Sequence, residues 1–109
     1  MILTIFERYA LFTILPREGN FQTLKTIKNL RESLSLTDEE KELYEFHQED
    51  DGKVYWKLTD DEGNQIPQEV DVDISIHGMS IIRDTLEKLD KQDQLKEELY
   101  TVYEKFVEG

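Results

Sequence analysis

Apolar residues recur every three or four positions over the first forty residues of the chain. They recur at every second position from about 44 to 76, then return to the helical spacing. Thr4-Ile-Phe-Glu7 is a capping box, in which the Thr hydroxyl takes one free backbone N–H and the Glu reaches back to the cap. It opens a predicted helix over 5–15. Ile5, Phe6, Leu11, Phe12, Ile14 and Leu15 make that helix apolar nearly all round, the pattern of a helix buried on several sides. Pro16 stops it and Arg17-Glu18-Gly19 makes the turn. Asn20 caps a second helix over 21–33. Phe21, Leu24, Ile27, Leu30 and Leu34 form its stripe, while Lys25, Lys28 and Arg31 fall on a different face. Thr37-Asp-Glu-Glu40 is a second capping box and starts a short helix over 38–43.

Beyond it the period becomes two. Tyr44, Phe46 and Gln48 alternate with charged positions, and Asp51-Gly52 signals a tight turn. Val54, Trp56 and Leu58 then share one face, expected to be the core face, and Tyr55, Lys57 and Thr59 the other. A second turn runs over 60–64. Val70, Val72, Ile74 and Ile76 alternate with Glu69, Asp71, Asp73 and Ser75, which predicts a third strand with one dry face and one acidic face. Pro67 stands at its start, where a missing N–H is tolerated. Gly78 is expected to break this strand before a helix over 79–90 that buries Ile82, Leu86 and Leu89. A last helix over 95–107 aligns Leu95, Leu99, Val102, Tyr103 and Phe106. The order ααα-βββ-αα predicts an α+β fold. About five helices would lie on the apolar face of a three-stranded antiparallel sheet, in a single domain spanning 1–109.

Charge changes this picture most. Residues 38–73 hold fourteen Asp and Glu against Lys41, Lys53 and Lys57, a balance of -11 in a chain of net -12. The first 37 residues carry +2 and the last 36 carry -3. A field so lopsided attracts cationic surfaces and repels phosphate backbones. Direct nucleic-acid binding is therefore not expected, although three helices and a hairpin resemble a winged helix in outline. Lys25, Lys28 and Arg31 would be its only basic row, and its wing would be densely acidic.

Other classes are narrowed by what the chain lacks. It has no cysteine, which removes disulfides and thiolate metal sites and suits a reducing compartment. Ile2-Leu-Thr-Ile-Phe6 lacks the basic start of a signal peptide, and Glu7 and Arg8 interrupt it. No stretch is apolar enough for a membrane span. The expectation is a cytoplasmic protein without cofactors. His47 and His77 are the only histidines, and no spacing ties either to a nucleophile; His77, at a strand-to-helix junction, is the better candidate for a small enzyme. The acidic turns invite a calcium reading. With Gly63 at the sixth loop position and Glu69 at the twelfth, however, Leu58 occupies the first, where a ligand is needed.

The candidate binding residues are Tyr55, Glu69, Asp71 and Asp73. Carboxylates two apart on a strand lie about 6.5–7 Å from one another, near the phosphate spacing of a nucleic acid. An acidic strand face of this kind would suit a mimic that occupies a nucleic-acid groove on another protein; plain solubility is the alternative. Tyr55, expected to face outward, or Tyr100 on the last helix would anchor a protein partner.

Several stretches resemble small uncharacterised proteins of bacteriophage and prophage genomes. They are Glu7-Arg8, Ile14-Leu-Pro-Arg-Glu-Gly-Asn20, Leu24-Lys25, Leu30-Arg31-Glu32, Leu36-Thr37, Glu39-Glu40, Trp56, Leu86, Leu89-Asp90 and Tyr103-Glu-Lys-Phe106. The likeness rests on caps, turns and core positions. It implies a phage-encoded accessory protein acting inside the host cell and supplies no activity, cofactor or site residue. The expected function is non-enzymatic protein–protein interaction with an unidentified partner, one with a basic surface if the acidic face is what binds. The oligomeric state stays open.

Overall fold

A computed structural model describes residues 1–109. The elements in chain order are β1 (Ile2–Thr4), α1 (Ile5–Ile14), α2 (Phe21–Leu34), α3 (Asp38–Tyr44), β2 (His47–Gln48), β3 (Val54–Tyr55), β4 (Glu69–Asp71) and α4 (Ile76–Lys91). A helical segment over 97–108 follows. It begins as a 3-10 turn (Glu97–Leu99), continues as a short α-helix (α5, Tyr100–Tyr103) and ends in a wider π turn (Glu104–Glu108). The architecture is α+β, with five α-helices as expected. The chain divides into two compact units, residues 1–35 with 70–109, and residues 36–69.

The larger unit is built on its caps. In α1 the Thr4 hydroxyl accepts from the Glu7 N–H, and the Glu7 carboxylate accepts from the Thr4 N–H, both at 3.0 Å. Asn20 caps α2 by accepting from the Thr23 N–H at 2.8 Å. The far end of α2 is closed by a buried arginine: Arg8 donates to the Leu34 carbonyl at 3.2 Å and to the Ser35 carbonyl at 2.7 Å. These carbonyls lie at the negative end of the α2 dipole, so a cation there is favoured. Leu11, Leu30, Ile82, Leu86 and Val102 lie at the centre of one apolar cluster drawn from α1, α2, α4 and 97–108.

The three-stranded sheet predicted from the alternation does not form. Two separate two-stranded pairs replace it, β1 with β4 and β2 with β3. The third strand takes the N-terminal run Ile2–Thr4 as its partner, and the Val72 N–H donates to the Met1 carbonyl at 2.8 Å. Its ladder also ends early. Ser75 is a better helix cap than strand residue, and its hydroxyl accepts from the Gly78 N–H at 3.0 Å. Helix α4 therefore starts at Ile76, three residues before the predicted start.

Gly78 is not a breaker. A Cβ at that position would lie 2.7 Å from Leu30 Cδ2, so glycine is what lets α4 close onto α2. Two helix faces also differ from expectation. Helix α1 is not buried all round: Ile5, Ala10 and Leu11 are buried, but Phe6 and Phe12 are exposed. The α2 stripe is buried only in its later half, at Ile27, Leu30 and Leu34, while Phe21 is 80% exposed. No helix is long and apolar enough to cross a membrane.

Candidate functional site

The 36–69 unit holds its shape with few buried side chains. Thr37 and Glu40 form the capping box of α3, at 3.0 and 3.1 Å. Tyr44, at the end of that helix, is buried and donates its hydroxyl to the Pro67 carbonyl. Phe46 stacks on Trp56 with ring centroids 6.3 Å apart. The Trp56 indole donates to Gln68 Oε1 at 3.1 Å, and Gln68 donates on to the Ile66 carbonyl at 2.8 Å. These residues pin the hairpin from within. Tyr44→Phe should lower stability by about 1 kcal/mol, because it removes a part-buried hydrogen bond. Urea denaturation followed by Trp56 fluorescence checks this, and an unchanged midpoint would show the hydroxyl to be dispensable.

The hairpin pairs His47 with Tyr55 and Gln48 with Val54 in antiparallel register. His47 and Tyr55 stack on one face at 5.4 Å, and His47 Nε2 lies 3.3 Å from Glu49. Tyr55 stays 46% exposed, so it faces outward as expected. Leu58 does not join Val54 and Trp56 on a core face. It is more exposed than Tyr55, because β3 ends at Tyr55 and the alternation ends with it.

The acidic turns are built by their own carboxylates. Asp51 accepts from the Lys53 N–H at 3.0 Å, and Asp60 accepts from the Glu62 and Asn64 N–H groups at 2.9 Å. Gly52 and Gly63 take the left-handed conformation each turn needs, with φ of 86° and 83°. Lys57 sits between Glu45 at 2.6 Å and Asp61 at 3.1 Å; its hydrogen bonds to these two raise its pKa above the ordinary lysine value. No three His, Asp or Glu side chains converge as a metal site would require.

The four predicted binding residues fall on different elements. Tyr55 lies in the hairpin. Glu69 and Asp71 lie on β4, and Asp73 follows after the ladder has ended. All three carboxylates are at exposed positions, and Asp71 accepts from the Met1 ammonium at 2.8 Å. His77 is exposed in the first turn of α4, with no acid or nucleophile hydrogen-bonded to it.

One charged constellation was not legible in the spacing. Glu7 is only 3% exposed, and Lys105 donates to its Oε1 at 2.7 Å and to the Ile2 carbonyl at 2.9 Å. Burial pushes the Glu7 carboxyl up, but Lys105, the Thr4 N–H and Thr101 outweigh it and hold the pKa below the ordinary carboxylate value. The pair ties the start of α1 to the 97–108 segment. The capping box flagged Glu7, but nothing in the sequence joined it to a lysine near the other end. Compared with models of protein families, with curated proteins and with solved structures, the chain has no match.

Proposed function

We propose that this protein is a non-enzymatic accessory protein, of the kind phages encode to act inside the host cell. On this reading its 36–69 unit docks on a basic surface of another protein. The observation that carries the reading is the composition of that unit's surface. Only Tyr44 and Ile66 are buried among its apolar residues, while Leu43, Tyr55 and Leu58 are exposed among twelve carboxylates and three lysines. Exposed apolar groups of this size add little to folding. Set in a field of one sign, they fit an interface in which charge steers the encounter and an aromatic side chain anchors it.

The test is affinity capture on the immobilised protein from a bacterial lysate, with a salt gradient for elution. A Tyr55→Ala variant and an Asp71→Asn/Asp73→Asn variant run alongside. The expected partner elutes at moderate salt, is retained by the double aspartate variant and is weakened about tenfold or more by Tyr55→Ala. Loss on the aspartate variant alone would move the site to the β4 carboxylates and favour nucleic-acid mimicry. A partner retained by both variants at high salt would reject both readings.

A further inference from the structure

A cleft lies on the helical segment 97–108. Tyr100, Tyr103 and Leu95 line this cleft of about 320 Å³, at the small end of the range for ligand sites. Tyr100 and Tyr103 are three residues apart on one helix, so they are neighbours on its surface. Tyr100 is 67% exposed, a large aromatic side chain left largely in solvent. Tyr103 is half-buried, and its hydroxyl donates to Asp90 Oδ2 at 3.3 Å, which fixes the far end of its ring.

The charges around these rings are mostly of one sign. Glu97, Glu104 and Glu108 line the same cleft, against Lys96 alone. From α4, Asp90 and Glu87 also act on Tyr103; Glu87 is partly offset by Arg83 at 3.8 Å. Burial, then Asp90, Glu87 and Glu108, push the Tyr103 phenol above its ordinary pKa.

Aromatic faces attract cations through the ring quadrupole, and nearby carboxylates reinforce the attraction. A neutral apolar ligand would gain nothing from the glutamates, and an anion would be repelled by them. From this geometry we infer that the Tyr100–Tyr103 cleft binds an organic cation, a guanidinium or alkylammonium group. Two sources present that chemistry, an arginine or lysine side chain of a partner protein and a free polyamine.

The test is a titration of the full chain with N-acetyl-arginine amide, spermidine and, as the neutral control, N-acetyl-leucine amide, followed by amide and tyrosine-ring NMR shifts. Saturable shifts are expected at residues 95–108 with either cation and not with the control, with a dissociation constant on the order of 1 mM. Tyr100 is exposed, so its replacement should leave the fold intact. Tyr100→Leu should weaken binding at least about fivefold, whereas Tyr100→Phe, which keeps the ring, should retain it. Tighter binding of spermidine identifies a polyamine site; tighter binding of the arginine probe identifies a protein side chain. Equal binding of the leucine control, full binding by Tyr100→Leu, or cation shifts confined to 36–69 would overturn the proposal. None of these outcomes depends on the hairpin's role, because the Tyr55→Ala variant should titrate like the wild type.

Discussion

Leu86→Ala will lower the free energy of unfolding by about 3 kcal/mol, within the 2–5 kcal/mol range for buried leucines. Leu86 is fully buried in α4, inside the cluster that joins that helix to α1, α2 and the 97–108 segment. Truncation removes contacts on several elements at once, and the surrounding helices can close the cavity only in part. For a domain stable by about 5–15 kcal/mol the loss is a large fraction of the total. Leu58→Ala, at an exposed position in the hairpin, should change stability by less than about 0.5 kcal/mol. Urea denaturation of both variants checks the contrast. Equal effects would mean that the cluster is not the source of stability.

Lys105→Ala should have the next largest effect, a loss of about 2–3 kcal/mol. Removing one partner of a fully buried ion pair typically costs more, about 3–5 kcal/mol, because the other charge is left in the interior. The figure is smaller here because the Lys105 side chain is 35% exposed and water shares the load. Glu7→Gln/Lys105→Met should recover most of the loss, since it leaves no buried charge and Gln can still accept from the Thr4 N–H.

The pair also sets a pH dependence. The folded Glu7 carboxyl has a lowered pKa, so the unfolded chain binds more protons at this site and stability rises with pH there. The contribution is complete above the ordinary carboxylate range of about 4 and is lost as the pH falls through the lower folded value. The stability gap between the wild type and Glu7→Gln should thus be full at neutral pH and shrink in acid. A gap that widened in acid would mean that Glu7 is neutral in the folded protein.

Local signals in this sequence read more truly than long-range ones. Thr4 with Glu7, Asn20, and Thr37 with Glu40 each cap a helix where the pattern placed them, because a cap involves residues three apart. The Asp51-Gly52 turn forms for the same reason. Strand pairing is not local. The alternation over 70–76 identified an extended segment but not its partner, and β1 is too short to show a period of its own. Gly78 misled because a helix-breaking residue and a close-packing one look alike in sequence, and only the approach of Leu30 separates them.

The candidate site was legible to a similar degree. Tyr55 was placed outward by simple alternation and is exposed there. Of the carboxylates at 69, 71 and 73, which alternation places in one row, the ladder holds the first two, and the second pairs with the amino terminus. Glu7–Lys105 and Tyr103–Asp90 lie 98 and 13 residues apart in sequence, and no pattern of residue types announces either contact.

The proposed docking of the 36–69 unit is tested most directly by hydrogen–deuterium exchange of the free protein and of its complex with the captured partner. The account predicts new protection across the hairpin and its turns, residues 45–64, together with a loss of affinity as salt rises. A complex in which those amides exchange as fast as in the free protein would contradict it.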